Sequence, residues 1–440
     1  MRPLSENRSS ETRSSEERAP RFARAAALDR QCRCRTPRFA RAVALALSAL
    51  AASALAVAAT AEASTAGGAA PFRPTDPDFV VAELPGGSRA RDGFARQLEL
   101  SRSDPQLAAQ LAAALLEQAR VSAQPQLYGR AESVLAPWIA RPAVPAPLLI
   151  LEANILQQRH EFAAAIELLD RAIAQDPRSG QAHLMRANVR IVTGDYERAR
   201  PDCAWLLASG EQWTGSVCIA QVLGSTGQLA RARTLLERLT AGDAVGPAAE
   251  VLAWALSVRA DLAQRAGALP EAQDLLTRAV ALAPASDYTR LALADVLIAR
   301  DRLAEAVQVL DTARPSVGVL LRRAIAQSRT HAGYTPESLA ALEERLAVSA
   351  QRGERTHLRE ETRLALEFPR ADAAADRQAV LALARDNFNV QRETEDIRLF
   401  ARAAAITRDP TALATLEEWL QRSHYEDIVV DQLLRSGRSS

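Results

Sequence analysis

Residues 180–207 read GQAHLMRANVRIVTGDYERARPDCAWLL. Ala187 is a small residue midway along a first amphipathic segment, and Gly194-Asp195-Tyr196 supplies a turn. Ala199, Cys203 and Leu206 then fall on one face of a second segment at helical spacing. The stretch is predicted to be a helix–turn–helix hairpin, and its plan recurs on both sides. Upstream, residues 146–177 (APLLILEANILQQRHEFAAAIELLDRAIAQDP) place Ala153 mid-helix, His160-Glu161-Phe162 at the turn, and Ala165, Leu169 and Ala172 inward. Asp176-Pro177 closes that unit, because proline cannot continue a helix and biases the residue before it away from helical geometry. Downstream, Gly227-Gln228-Leu229 leads to Ala232, Leu236 and Leu239. Gly267-Ala268-Leu269 leads to Ala272, Leu276, Ala279 and Pro284, and Asp301-Arg302-Leu303 to Ala306, Leu310, Ala313 and Pro315. Ala165, Ala199, Ala232, Ala272 and Ala306 thus recur at intervals of 34, 33, 40 and 34 residues.

Two helices that cross closely need a small residue on each at the crossing, and alanine supplies it without glycine's entropic cost. The pairs Ala153/Ala165 and Ala187/Ala199 fit that role, with Leu169 and Leu236 filling the groove beside it. One hairpin cannot bury its apolar face alone, so neighbours stack and share a core. On these residues the chain resembles the tetratricopeptide repeat family from Ala146 to Pro315. The family's usual first-helix aromatic is mostly replaced by aliphatic residues, in keeping with an aromatic content of 4%. The resemblance implies an all-α, right-handed superhelical solenoid with a concave binding surface.

Weaker copies flank this region. Residues 106–138 hold two amphipathic segments with Ala131 at the marker position, 34 before Ala165. Beyond Pro315 the period drifts, and residues 319–330, 336–350, 355–368, 371–387, 393–407 and 411–423 read as helices. Thr335-Pro336 and Asp409-Pro410-Thr411 are helix-start signals. The expected organisation is a disordered leader (1–41), a signal peptide (42–63), a flexible lead-in (64–100), a repeat array (101–315) and degenerate repeats (316–440). The alternative for the last part is an unrelated helical bundle. The whole reads as about nine hairpins of roughly 34–40 residues.

Residues 42–59, AVALALSALAASALAVAA, follow Arg38 and Arg41 and precede the small-x-small site Ala61-Glu62-Ala63. That order is a secretory signal, with cleavage near Ala63, and implies a periplasmic or secreted protein without stable membrane insertion after cleavage. An uncleaved anchor is the rival reading. No Leu-x-x-Cys lipobox stands at the site. The leader repeats a motif, Pro20-Arg21-Phe22-Ala23-Arg24-Ala25 and Pro37-Arg38-Phe39-Ala40-Arg41-Ala42, without a functional account. Residues 64–89 are rich in Ala, Gly, Pro and Ser, hence the lead-in.

Lysine is absent, and all 54 basic residues are arginine. Residues 1–63 carry 11 arginines against 6 acids, so the remainder is net −4 and offers no basic stripe for nucleic acid. Cys32 and Cys34 belong to the leader. Cys203 and Cys218 fall on neighbouring antiparallel helices and are expected to form a structural disulfide in an oxidising compartment. Without lysine there is no Walker loop and no Ser-x-x-Lys nucleophile. His160-Glu161 has Ala164 where a zinc-protease helix needs histidine, Gly-x-Ser-x-Gly is missing, and His160, His183, His331, His357 and His424 never pair at ligand spacing. No catalytic residue, metal or cofactor is expected.

What remains is binding. Polar residues on the first helices would line the concave groove: Asn154, Gln157, Gln158, Gln181, Asn188, Arg190, Gln221, Tyr288 and Asp295. Asn154 and Asn188, 34 apart, occupy equivalent positions and suggest an asparagine ladder along a peptide backbone. Relatives that clamp C-terminal carboxylates add lysines there, which this chain lacks. The expected function is a non-enzymatic interaction scaffold of the bacterial cell envelope that holds a protein or peptide partner. The alternatives are an envelope assembly or chaperone-like factor, and an enzyme with a helical C-terminal catalytic part. Terminal mass spectrometry of the exported protein should find Ser64 at its start; a chain retaining residues 42–59 would mean that the segment stays as an anchor.

Overall fold

In the computed structural model, residues 87–438 are described, except 123, 125, 242–245, 331–335, 352–354 and 370–372. The expected leader and signal segment lie outside the described residues, with Cys32 and Cys34. Among the described residues there are helices and no strand, and no helix is long and apolar enough to cross a membrane.

Helix α1 (Gly87–Ser101) precedes nine hairpins. The first three pair α2 (Pro105–Ser122) with α3 (Gln126–Ile139), α4 (Ala146–Gln158) with α5 (Phe162–Gln175), and α6 (Gly180–Val192) with α7 (Tyr196–Ala208). The next three pair α8 (Gln212–Gly224) with α9 (Leu229–Ala241), α10 (Ala249–Arg265) with α11 (Leu269–Leu282), and α12 (Asp287–Ala299) with α13 (Leu303–Asp311). The last three pair α14 (Val317–Thr330) with α15 (Pro336–Gln351), α16 (Leu358–Glu367) with α17 (Ala373–Val390), and α18 (Thr394–Thr407) with α19 (Pro410–Ser423). Helix α20 (Ile428–Arg438) ends the described chain. The fold is an all-α repeat solenoid, and helices continue past Pro315 to Arg438.

The marker alanines are all fully buried, and so is a partner 12 residues earlier on each first helix: Ala153, Ala187, Ala220, Ala260 and Ala294. Five hairpins therefore cross through the same small pair. Their turns are also alike. The residue five before each marker is left-handed, at φ 59° for His160, 79° for Gly194, 73° for Gly227, 80° for Gly267 and 58° for Asp301. The next N–H reaches back to the first helix, as from Asp195 to the Arg190 carbonyl (2.7 Å) and from Ala268 to Ala263 (2.8 Å). This is the 6→1 bond of the Schellman motif, which satisfies an orphan carbonyl at the helix end. Cys203 and Cys218 are joined as a disulfide between α7 and α8.

Two segments differ from the sequence expectation. Residues 87–100, expected within the lead-in, are helical, because Phe94 and Leu98 lie one turn apart and pack on the first hairpin's core. Trp138 Nε1 donates to the Ser101 carbonyl (2.9 Å) and fixes the end of that helix. Helix α20 was not anticipated. It starts from Asp427, whose Oδ1 accepts from the N–H groups of Val429 (2.8 Å) and Val430 (3.3 Å) as an N-cap.

The superhelix closes on itself. One core cluster unites Ala187, Tyr196, Ala199 and Val222 of α6–α8 with Phe388, Phe400, Trp419 and Tyr425 from the last repeats. The Arg392 N–H donates to the Val192 carbonyl (2.7 Å), across 200 residues of sequence. Arg265 Nε donates to the Glu426 carbonyl (3.0 Å), its Nη2 donates to the Gly224 carbonyl, and its guanidinium lies 3.8 Å from the centroid of the Tyr425 ring. The three glycine turns receive the returning chain: a Cβ on Gly227 would meet His424 Cβ at 2.8 Å, one on Gly194 would meet Arg392 Cδ at 3.0 Å, and one on Gly267 would touch Ile428 at 3.5 Å.

Asparagine tolerates the left-handed region, so it separates the turn's need for that conformation from the need for space. Gly227→Asn should cost about 2 kcal/mol of stability through the clash with His424. Gly210→Asn, where φ is 94° and nothing lies within 4 Å, should cost only the backbone strain, and so less than Gly227→Asn, in the same chemical denaturation experiment.

Candidate functional site

On the first helix of each of these five hairpins the residue after the crossing alanine is polar: Asn154, Asn188, Gln221, Asp261 and Asp295. A step of one residue turns the side chain by about 100° around the helix, off the crossing and toward the groove. These five positions repeat at the same 34, 33, 40 and 34 residue intervals as the alanines. Sequence reasoning found four of the rungs and missed Asp261, although its distance of 40 from Gln221 was the available signal.

Gln221, Asp261 and Asp295 come together around a cavity of about 220 Å³. Tyr288 lines it as well, while Asn154, Gln157, Gln158, Gln181, Asn188 and Arg190 do not. The far wall is built by the last repeats, through Arg359, Glu360, Arg392, Glu393, Thr394, Arg398 and Tyr425. Over this part the concave groove is not an open trough. The chain's own C-terminal hairpins occupy it and leave a pit.

The wall charges are tied down. Asp295 is gripped by Arg322, from Nε and Nη2 at 2.9 and 2.7 Å, and by Arg363 Nη1 at 2.6 Å. Burial pushes the Asp295 carboxyl up, but the two guanidinium groups outweigh it and hold the group below its ordinary value. Arg359 forks onto Asp396 at 2.6 and 2.7 Å and also reaches Glu393 at 2.5 Å. Asp396 is fully buried and accepts from Asn387 Nδ2 (2.8 Å) and the Glu393 N–H (2.9 Å) as well. Arg398 Nε donates to the buried Asp427 at 2.9 Å. Bidentate guanidinium–carboxylate geometry of this kind suits arginine and not lysine.

The remaining expected groove residues differ in their surroundings. Asn154 and Asn188 are half-buried, and among the described residues neither side chain makes a hydrogen bond. Gln157 is half-buried, and Gln158 and Gln181 are exposed. Arg190 is turned aside: it bonds Asp202 Oδ2 and the Arg198 carbonyl, both at 2.9 Å, on the second helix of its hairpin. Its place one turn after Arg186, which also binds Asp202, puts it on the face toward α7. The wall residues of the last repeats could not be found by spacing, because they arrive through closure.

Family models bear on the array directly. Two described as tetratricopeptide repeat match residues 150–211 and 263–318. Both stretches are tetratricopeptide repeats. Solved structures similar to this repeat protein include a thermophilic tetratricopeptide repeat protein of Thermus thermophilus, at 21% identity over 41% of this chain and 98% of that one, with a TM-score of 0.36. A tetratricopeptide repeat protein from Parabacteroides merdae is 15% identical over 62% of this chain and 97% of that one, with a TM-score of 0.35. A chain of the APC/C hetero-tetramer Cut9–Hcn1 is 12% identical over 80% and 74%, with a TM-score of 0.44. No curated protein matches the sequence.

Glu152, two residues before the rung Asn154, was also missed. Its Oε2 is buried without a hydrogen-bond partner among the described residues. Burial, together with Glu132 and Glu161, outweighs the pull of Arg159 and raises its carboxyl from the ordinary 4.5 to about 7. A folded-state value above the unfolded one favours folding at low pH, and that contribution is lost as pH rises from about 4.5 through about 7. Glu152→Gln should therefore stabilise the protein by about 1–2 kcal/mol at pH 8, and by much less at pH 5, in parallel thermal melts.

Proposed function

We propose that the protein is a non-enzymatic interaction scaffold of the bacterial cell envelope, exported by its 42–63 segment, that holds a protein or peptide partner on the first helices of its early repeats. The observation that carries this is the state of the ladder. Its later rungs face the closed cavity, whereas Asn154 and Asn188 stand half-buried and unbonded on α4 and α6. A primary amide offers both donors and an acceptor, so two of them one repeat apart can bond the backbone of an extended segment without reading its side chains. Repeats of this family generally bind proteins, which agrees with that use. The net −4 of the chain after residue 63 speaks for a protein partner over nucleic acid.

The test is affinity capture from the periplasmic fraction of the native cell, with quantitative mass spectrometry. Asn154→Ala with Asn188→Ala should reduce partner recovery about tenfold at unchanged melting temperature, the loss of two backbone hydrogen bonds. Equal recovery by the double variant would remove the groove from the proposal.

A further inference from the structure

The arginines that line the closed cavity are all engaged by the protein itself. Arg322 holds Asp295, Arg359 holds Asp396 and Glu393, and Arg398 holds Asp427. Arg392 Nη1 donates to the Thr193 carbonyl at 2.5 Å, and Arg265 serves two further carbonyls. Two donors on these side chains, Arg392 Nε and Arg398 Nη2, are buried without a hydrogen-bond partner among the described residues, and the other groups left in reserve are acceptors. Asp261 has a hydrogen bond with Thr394 but its arginine neighbour, Arg265, only at 4.0 Å, and Glu360 has His357 only at 4.0 Å. Gln221 Oε1 is buried and accepts no hydrogen bond among the described residues. Tyr288 stands in the same lining with 62% of its surface exposed, an aromatic that the fold has not packed.

We propose that this cavity binds an organic cation, a primary amine or a guanidinium. Asp261 and Glu360 supply the countercharge, Gln221 accepts a hydrogen bond, and the Tyr288 ring meets the cation by its face. Ammonium and guanidinium groups are donors without acceptors, which complements the carboxylates of Asp261 and Glu360 and the free Gln221 Oε1. Attraction to an aromatic face strengthens when the cation leaves bulk water, as it does in a pit. The volume of about 220 Å³ is that of about seven liquid waters, enough for a short amine or one basic side chain. The cation site stands apart from the partner groove proposed above, since it uses neither Asn154 nor Asn188.

Isothermal titration calorimetry on the exported chain tests this with four probes: agmatine, the tripeptide acetyl-Gly-Arg-Gly-amide, inorganic phosphate and citrate. Agmatine should bind one to one, and Glu360→Gln and Tyr288→Ala should each weaken it about tenfold at unchanged melting temperature. Tighter binding of the tripeptide would identify the source as a basic side chain of a partner; tighter binding of agmatine would identify a free amine. No heat from either cation, tighter binding of phosphate or citrate, or unchanged affinity in both variants would overturn the assignment. Partner capture through Asn154 and Asn188 should be unaffected by Glu360→Gln, so the two proposals fail separately.

Discussion

The close approach of two helices at a pair of alanines governs everything else in this molecule. Each hairpin from Ala153/Ala165 to Ala294/Ala306 uses the same pair, and all ten side chains are fully buried. A larger residue at either position would push the helices apart, and interiors at crystal-like packing density have no room to absorb the shift. With the crossing fixed, the residue that follows it must project to the concave side. The rungs from Asn154 to Asp295 therefore inherit their alignment from the alanines rather than from any contact with one another.

Closure adds a second layer that depends on buried charge. Asp396 is fully buried and Asp427 and Arg265 nearly so, each with several hydrogen-bond partners. A buried ion is costly unless its geometry is well met, and removing one partner leaves the other uncompensated. Arginine meets that demand with a planar fork that bonds carboxylates and carbonyls at once. The all-arginine composition, which looked neutral in the sequence, is compatible with this architecture wherever a guanidinium does two jobs. Arg265 bonds two carbonyls and covers the Tyr425 ring; lysine could not reproduce that arrangement.

The local half of the fold was legible and the long-range half was not. Alanine spacing, turn residues and helix-stop prolines all act within one repeat, so they leave a period that a single sequence displays. The Cys203–Cys218 pairing followed from the same register, because it joins adjacent helices. The closing contacts leave no such trace. Gly194, Gly227 and Gly267 read as turn residues, yet His160 and Asp301 adopt the same left-handed conformation without being glycine. The difference is that the glycine turns receive Arg392, His424 and Ile428. Arg190 was expected to face the groove because it is polar and on a first helix, and only the position of Asp202 reveals its true face. Asp261 could have been found by carrying the 40-residue step through the rungs.

Open repeat arrays are quasi-one-dimensional: each unit touches only its neighbours, and the ends can fray while the middle persists. The bond between residues 392 and 192 removes that freedom. Once the last repeats are docked on α6–α8, loosening them exposes the shared aromatic core of both regions together. The third to ninth hairpins thereby become one cooperative block, whose completion waits on a contact of high sequence separation. During synthesis from the N-terminus, the early repeats must wait, with Tyr196 and Val222 uncovered, until nearly the whole chain has emerged.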